Sequence, residues 1–127
     1  MVIEEGFTLA KILVVDDSRT ARMMCNAAIS KQRPDFITIE AADGATALEA
    51  VAEQEPDLAI LDMNMPGMDG LELAGRLRRQ FPRLPICLLT ANVQASSRRR
   101  AEEAEVFFFG KPLTEAAMRE MLAHVQA

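Results

Sequence analysis

Residues 12–15, Ile-Leu-Val-Val, and residues 58–61, Leu-Ala-Ile-Leu, are apolar at every position. A strand with one face in water alternates apolar and polar side chains, so a short unbroken apolar run reads as a strand buried on both faces. That is the environment of a central strand in a parallel sheet covered by helices. Both runs stop at acid, the first at Asp16-Asp17 and the second at Asp62. In an open α/β sheet, ligands bind beyond the C-terminal ends of the strands, where the loops leave a crevice lined by strand ends and helix N-termini. Asp62, followed by a Pro/Gly-rich loop over residues 63–70, is therefore the chemical centre to expect.

The rest of the chain supplies the partners such a sheet needs. Residues 1–10 have no sustained period and read as a tail, with one domain over residues 11–127. A helix over 18–30, capped by Asp17 or Ser18, carries Ala21, Met24, Cys25, Ala28 and Ile29 at helical spacing. Residues 36–41 read as a strand, and Asp43-Gly44 opens a helix through Ala47, Leu48 and Val51. After Gly70, Leu71, Leu73, Leu77 and Phe81 mark the buried face of a third helix, with Arg76, Arg78 and Arg79 in solvent. Residues 86–90 form a fourth strand ending at Thr90, 95–104 a polar, weakly packed helix, and 106–109 a fifth strand before Gly110-Lys111-Pro112. Thr114 caps a last helix with Met118, Leu122 and Val125 on its buried stripe. Five strands alternating with five helices require right-handed crossovers and a doubly wound parallel sheet.

Nineteen acidic against fourteen basic residues give a net charge of -5, which repels phosphate backbones and argues against nucleic acid as a partner. No apolar run approaches membrane-spanning length and no signal pattern is present, so the expected location is the cytoplasm. Cys25 and Cys87 lack metal-ligand spacing and read as buried apolar side chains. Arg98, Arg99 and Arg100 with Glu102, Glu103 and Glu105 read as a solvated face, and His124 as a surface residue. The eight methionines read as core filler, with Met63, Met65 or Met121 as those that could instead face a partner, and Asp69 reads as a turn or helix cap.

In one parallel sheet, Asp16-Asp17, Asp62, Thr90 and Lys111 share an edge. Carboxylates facing one another repel unless a cation neutralises them, which calls for a hard, oxygen-seeking divalent ion, magnesium by default. Carboxylates holding a cation, a Lys ammonium and a Thr hydroxyl together make a receptor for a phosphoryl group. With no serine or imidazole base near them in the sequence, the carboxylate itself is the expected nucleophile, giving an aspartyl phosphate.

Asp16-Asp17, Asp62 followed by Met65-Pro66 and Gly67-Met68-Asp69-Gly70, Thr90-Ala91 and Lys111-Pro112, in that order and spacing, resemble the receiver domain of two-component response regulators. The size is close to that of the stand-alone chemotaxis type. The resemblance implies a flavodoxin-like fold with strand order 2-1-3-4-5. It implies that Asp62 accepts phosphate from a histidine kinase or phosphotransfer protein, and that Asp17, Asp62 and the carbonyl of Asn64 ligate magnesium while Asp16 supports it through water. Lys111 pairs with Asp62 or its phosphate, behind a cis peptide to Pro112, and Thr90 moves onto the phosphoryl oxygen. Phe108 occupies the position of the family's switch aromatic without the commoner phenolic hydroxyl, and Asn64 and Asn92 modulate water access. The output is a shifted surface on helix four, strand five and helix five that controls an unidentified downstream protein. The chain is expected to be a monomer or a weak phosphorylation-dependent dimer. It is not expected to act as an enzyme beyond its own phosphorylation and dephosphorylation. No glycine turns helix four into strand five, which marks that connection as unusual, and with about one helix following Lys111 no fused output is expected unless the chain is a piece of a longer protein.

Two other readings compete. A phosphohydrolase of the haloacid-dehalogenase type also uses an aspartate nucleophile with magnesium, but it needs a second acid two residues on, where this chain has Asn64. A receiver-like binding module independent of phosphate has no evident use for mutually repelling acids.

Overall fold

The computed structural model describes residues 9–91 and 95–125, with residues 95–97 as backbone alone. Most of the expected tail, residues 1–8, and Asn92 therefore lie outside the described residues. Among the described residues ten elements alternate: β1 (Lys11–Val15), α1 (Arg19–Gln32), β2 (Ile37–Ala41), α2 (Gly44–Glu53), β3 (Leu58–Asp62), α3 (Gly70–Gln80), β4 (Ile86–Thr90), α4 (Ala95–Glu103), β5 (Phe107–Gly110) and α5 (Glu115–Leu122). All strand pairs are parallel, in the order β2-β1-β3-β4-β5. The fold expectation and the strand order hold.

Successive side chains of a strand point to opposite faces, and the two core layers divide along that rule. Leu13, Val15, Ala59, Leu61, Ile86 and Leu88 pack with Ala47, Val51, Leu73 and Leu77 of α2 and α3. Ile12, Val14, Leu58, Ile60, Cys87 and Leu89 pack with Cys25, Ile29, Met118 and Met121 of α1 and α5. Burial in this second layer pushes both thiols up to about 12, so the cysteines are the inert apolar groups the sequence suggests.

Several positions differ from expectation. Met24 is 62% exposed and borders an open cavity over Val14, Ile60 and Leu89, although it shares its helical turn with the buried Cys25. Met63, Met65 and Met121 are all buried, which agrees with core filler and removes the alternative of facing a partner. Arg78 is not a solvent residue: its Nη1 donates to the carbonyls of Pro82 and Leu84 at 3.2 and 2.5 Å, and its Nη2 to that of Glu105 at 2.9 Å. His124 stacks on Phe107 with ring centroids 3.8 Å apart.

The missing glycine between α4 and β5 has a direct consequence. The Val106 amide donates to the Ala101 carbonyl and the Glu105 amide to that of Glu102, both at 3.1 Å, which is the Schellman arrangement that ends a helix. That arrangement places Glu105 at φ 60, where a side chain crowds its own backbone. Replacing Glu105 with Gly is expected to stabilise the protein by about 1 kcal/mol. Thermal unfolding measures this, with Glu105→Ala as the control that keeps its Cβ and gains nothing comparable.

Candidate functional site

Strand register assembles the site. Val15 pairs with Leu61, Asp62 with Leu89, and Thr90 with Gly110. Asp16, Asp62, Thr90 and Lys111 consequently arrive at one edge, each at or one residue beyond the end of its strand. Local rules hold the loops in place. Ser18 caps α1 by accepting the Ala21 amide at 3.2 Å, and Asp69 caps α3 by accepting the Glu72 amide at 2.8 Å. Asp69 is thus a cap, as its turn chemistry suggested.

Asp16, Asp17 and Asp62 each offer a carboxylate oxygen within 4.8 Å of the other two. Asp16 and Asp62 are buried, while Asp17 opens to solvent. Lys111 Nζ lies 3.3 Å from Asp16 Oδ2 and 3.3 Å from Asp62 Oδ1, bridging the two buried acids. Its peptide to Pro112 is cis. Thr90 is buried at 1% exposure, and its carbonyl accepts the Lys111 amide at 2.7 Å.

Charge balance distinguishes this cluster from a structural ion pair. Burial, and then the Asp16 carboxylate, push the Asp62 carboxyl above the ordinary aspartate range despite Lys111 and a 3.4 Å hydrogen bond from the Asn64 amide. Burial pulls the Lys111 ammonium down, but Asp62 and then Asp16 outweigh it and hold the group above the ordinary lysine value. One ammonium therefore under-compensates the acids around it. Three carboxylates with one open to solvent form an all-oxygen, net-negative donor set, which fits a hard divalent cation such as magnesium.

Not every candidate joins this cluster. Asn64 is exposed beside Asp62 and touches it through its backbone amide. Phe108 packs on the other face of β5, half-buried in the α3 and α4 layer, with the Arg98 guanidinium 5.3 Å over its ring. Two features escaped the sequence reading. Arg22 donates to the Asp16 carbonyl at 2.6 Å, and Gly70 packs against the backbone of Asp62 and Met63. An arginine one helical turn past a capping serine and a glycine at a helix start were the available signals. Neither names its tertiary contact.

Comparison with known proteins agrees with this geometry. A family model for the response regulator receiver domain matches residues 12–123. Sporulation initiation phosphotransferase F of Bacillus subtilis is 34% identical over 103 residues, which cover 80% of this chain and 82% of that protein. Sensor protein EvgS of Escherichia coli K12 is 39% identical over 126 residues, covering 96% of this chain and 10% of that protein. For response regulator MprA of Mycobacterium ulcerans the figures are 39% over 119 residues, 92% and 49%. The chain thus spans about a tenth and about half of the last two relatives. The solved structure of the chemotaxis protein CheY4 of Vibrio cholerae superposes with a TM-score of 0.84 at 28% identity, covering 94% of this chain and all of that one. With the family model spanning nearly the whole chain and the acids and lysine meeting at the strand ends, this protein belongs to the response regulator receiver domain family.

Proposed function

We propose that this receiver domain takes a phosphoryl group onto Asp62 from the phosphohistidine of a histidine kinase or phosphotransfer protein. The observation that carries this reading is the under-compensated cluster of Asp16, Asp17 and Asp62 with Lys111 bridging the two buried acids. An Asp62 carboxylate oxygen attacks phosphorus, the donor's P–N bond breaks, and the departing imidazole nitrogen keeps the electron pair. Asp17, Asp62 and the Asn64 carbonyl, with Asp16 through water, would hold magnesium, which when bound would supply positive charge to the phosphoryl oxygens. Lys111 adds a second positive charge, and the Thr90 hydroxyl donates to a phosphoryl oxygen once one is present. Asn64 and Asn92 set how water reaches the acyl phosphate.

The donor's side of approach has support in the surface. Met23 and Met24 are 58% and 62% exposed on α1, and a cavity of about 430 Å³ between α1 and the 111–113 loop is lined by Ala21, Met24, Leu89, Pro112 and Leu113. An adaptable thioether patch beside Asp16 and Lys111 suits a docking protein. On the output side, the α4, β5 and α5 face carries the signal. Phe108 has no hydroxyl to hold a buried rotamer, so the change depends on ring packing beneath Arg98 and on the loop after Thr90.

Incubation with acetyl phosphate and magnesium tests the reading. Wild type is expected to gain the mass of one phosphoryl group and Asp62→Asn none. No adduct on wild type, or an undiminished one on the variant, overturns it.

A further inference from the structure

The turn bearing Asp16 and Asp17 is held from behind. Arg22 is 14% exposed at its side chain. Its Nη1 donates to the Asp16 carbonyl at 2.6 Å and its Nε to Glu40 Oε1 at 3.1 Å. The Asp16 amide donates to the Ala41 carbonyl at 3.2 Å, so both ties run to consecutive residues of the edge strand β2. Ahead of them, Asp16 Oδ1 accepts the Ser18 amide at 2.9 Å.

The Asp16 carbonyl belongs to the rigid peptide unit that joins Asp16 to Asp17. Fixing that plane limits where the Asp17 side chain leaves the turn. Asp17 needs such a constraint, because it is exposed and its neighbours Asp16 and Asp62 repel it toward solvent. A guanidinium suits the task, since its donors diverge in a fixed fork and can serve a carbonyl and a carboxylate together. Glu40 neutralises it locally and anchors it to the sheet.

We propose that Arg22, anchored by Glu40, is a positioning residue for the cation site: it orients the 16–17 peptide so that both carboxylates face the ion together with Asp62. This rests on the reading of the acidic cluster as a magnesium site. In the absence of the fork, part of the binding free energy is spent on bringing Asp17 back against repulsion.

Magnesium titration of the whole chain, followed by backbone amide resonances of residues 16–18 and by thermal shift, tests this. Arg22→Ala is expected to weaken magnesium binding about tenfold, the usual scale for loss of a group that orients a metal ligand. Arg22→Lys, a point charge that cannot serve both partners, should fall between, and Glu40→Ala should lose less in the same direction. At saturating magnesium, labling of Arg22→Ala by acetyl phosphate should return to within about twofold of wild type, which general destabilisation would not produce. Wild-type affinity in Arg22→Ala overturns the proposal. Should Arg22→Ala fail to fold, wild-type affinity in both Arg22→Lys and Glu40→Ala does the same, Glu40 being exposed enough to replace safely. A wild-type protein that ignores magnesium removes the site reading itself, and this proposal with it.

Discussion

Asp62→Asn, expected to take up no phosphoryl group, is also expected to melt higher than wild type when magnesium is chelated. Asp62 is buried, and its carboxyl is pushed above the ordinary aspartate range by burial and by Asp16. The folded protein therefore pays to keep it ionised, and an amide of the same shape removes that cost. In a domain of this size, relief of about 1 kcal/mol raises the melting temperature by about 3–6 °C. The pH dependence has a definite sign. Above the raised folded value, Asp62 is ionised in both states and the penalty is complete; below the unfolded value of 3.8 it is protonated in both and the penalty is gone. The gap between variant and wild type should thus be widest near neutral pH and close as pH falls through that window. Saturating magnesium should narrow or reverse the gap at neutral pH, since wild type presents one more carboxylate to the ion. Thermal unfolding of both proteins with and without chelator measures all three effects, and an Asp62→Asn protein less stable than wild type in chelator would refute the charge argument.

Gly70→Ala is expected to cause the largest loss of stability among conservative substitutions near the site. A Cβ on Gly70 would collide with the Asp62 carbonyl oxygen and come within 2.9 Å of Met63 Cα and 3.0 Å of Leu88 Cδ2. The two nearest of the three neighbours are backbone and cannot yield as the Leu88 side chain could. The Gly70 amide also donates to the Met63 carbonyl at 2.9 Å, which ties the start of α3 to the strand end it presses upon. Forcing them apart should cost about 2–3 kcal/mol and displace Asp62. Displacements on the order of 1 Å lower rates by up to about a hundredfold. Gly75 provides the comparison within the same helix: its position is open, with nothing within 4 Å of an added Cβ. Gly75→Ala should stabilise by up to about 1 kcal/mol, because alanine favours the helix and nothing opposes it. Equal effects from the two substitutions would show that α3 is not wedged against the strand that carries Asp62.

Much of the fold was legible because its signals are local. Residues 12–15 and 86–89 announce themselves by unbroken apolar character, and Ser18, Asp69 and Thr114 by cap chemistry that depends on neighbours three residues away. The errors share one cause. Helical spacing puts Met24 inside and Arg78 outside; it says which residues share a face, but not how fully each is covered or which loop returns to touch it. At Glu105 the missing glycine was visible, yet the way the chain absorbs it was not: a glutamate accepts the left-handed conformation, with its carbonyl held by Arg78.

What the sequence determined by itself was the alternation of elements, the burial of the central strands, and the placing of an acid, a hydroxyl and a lysine at strand ends in a recognisable order. Only the tertiary structure decided which of these groups meet. Lys111 reaches Asp16 across 95 positions, and the under-compensated charge on Asp62 exists because parallel register sets Asp16 beside it. Apolar runs and caps are properties of a few consecutive residues, whereas the distance between two strand ends, and with it the electrostatics of the site, depends on every crossover that lies between them.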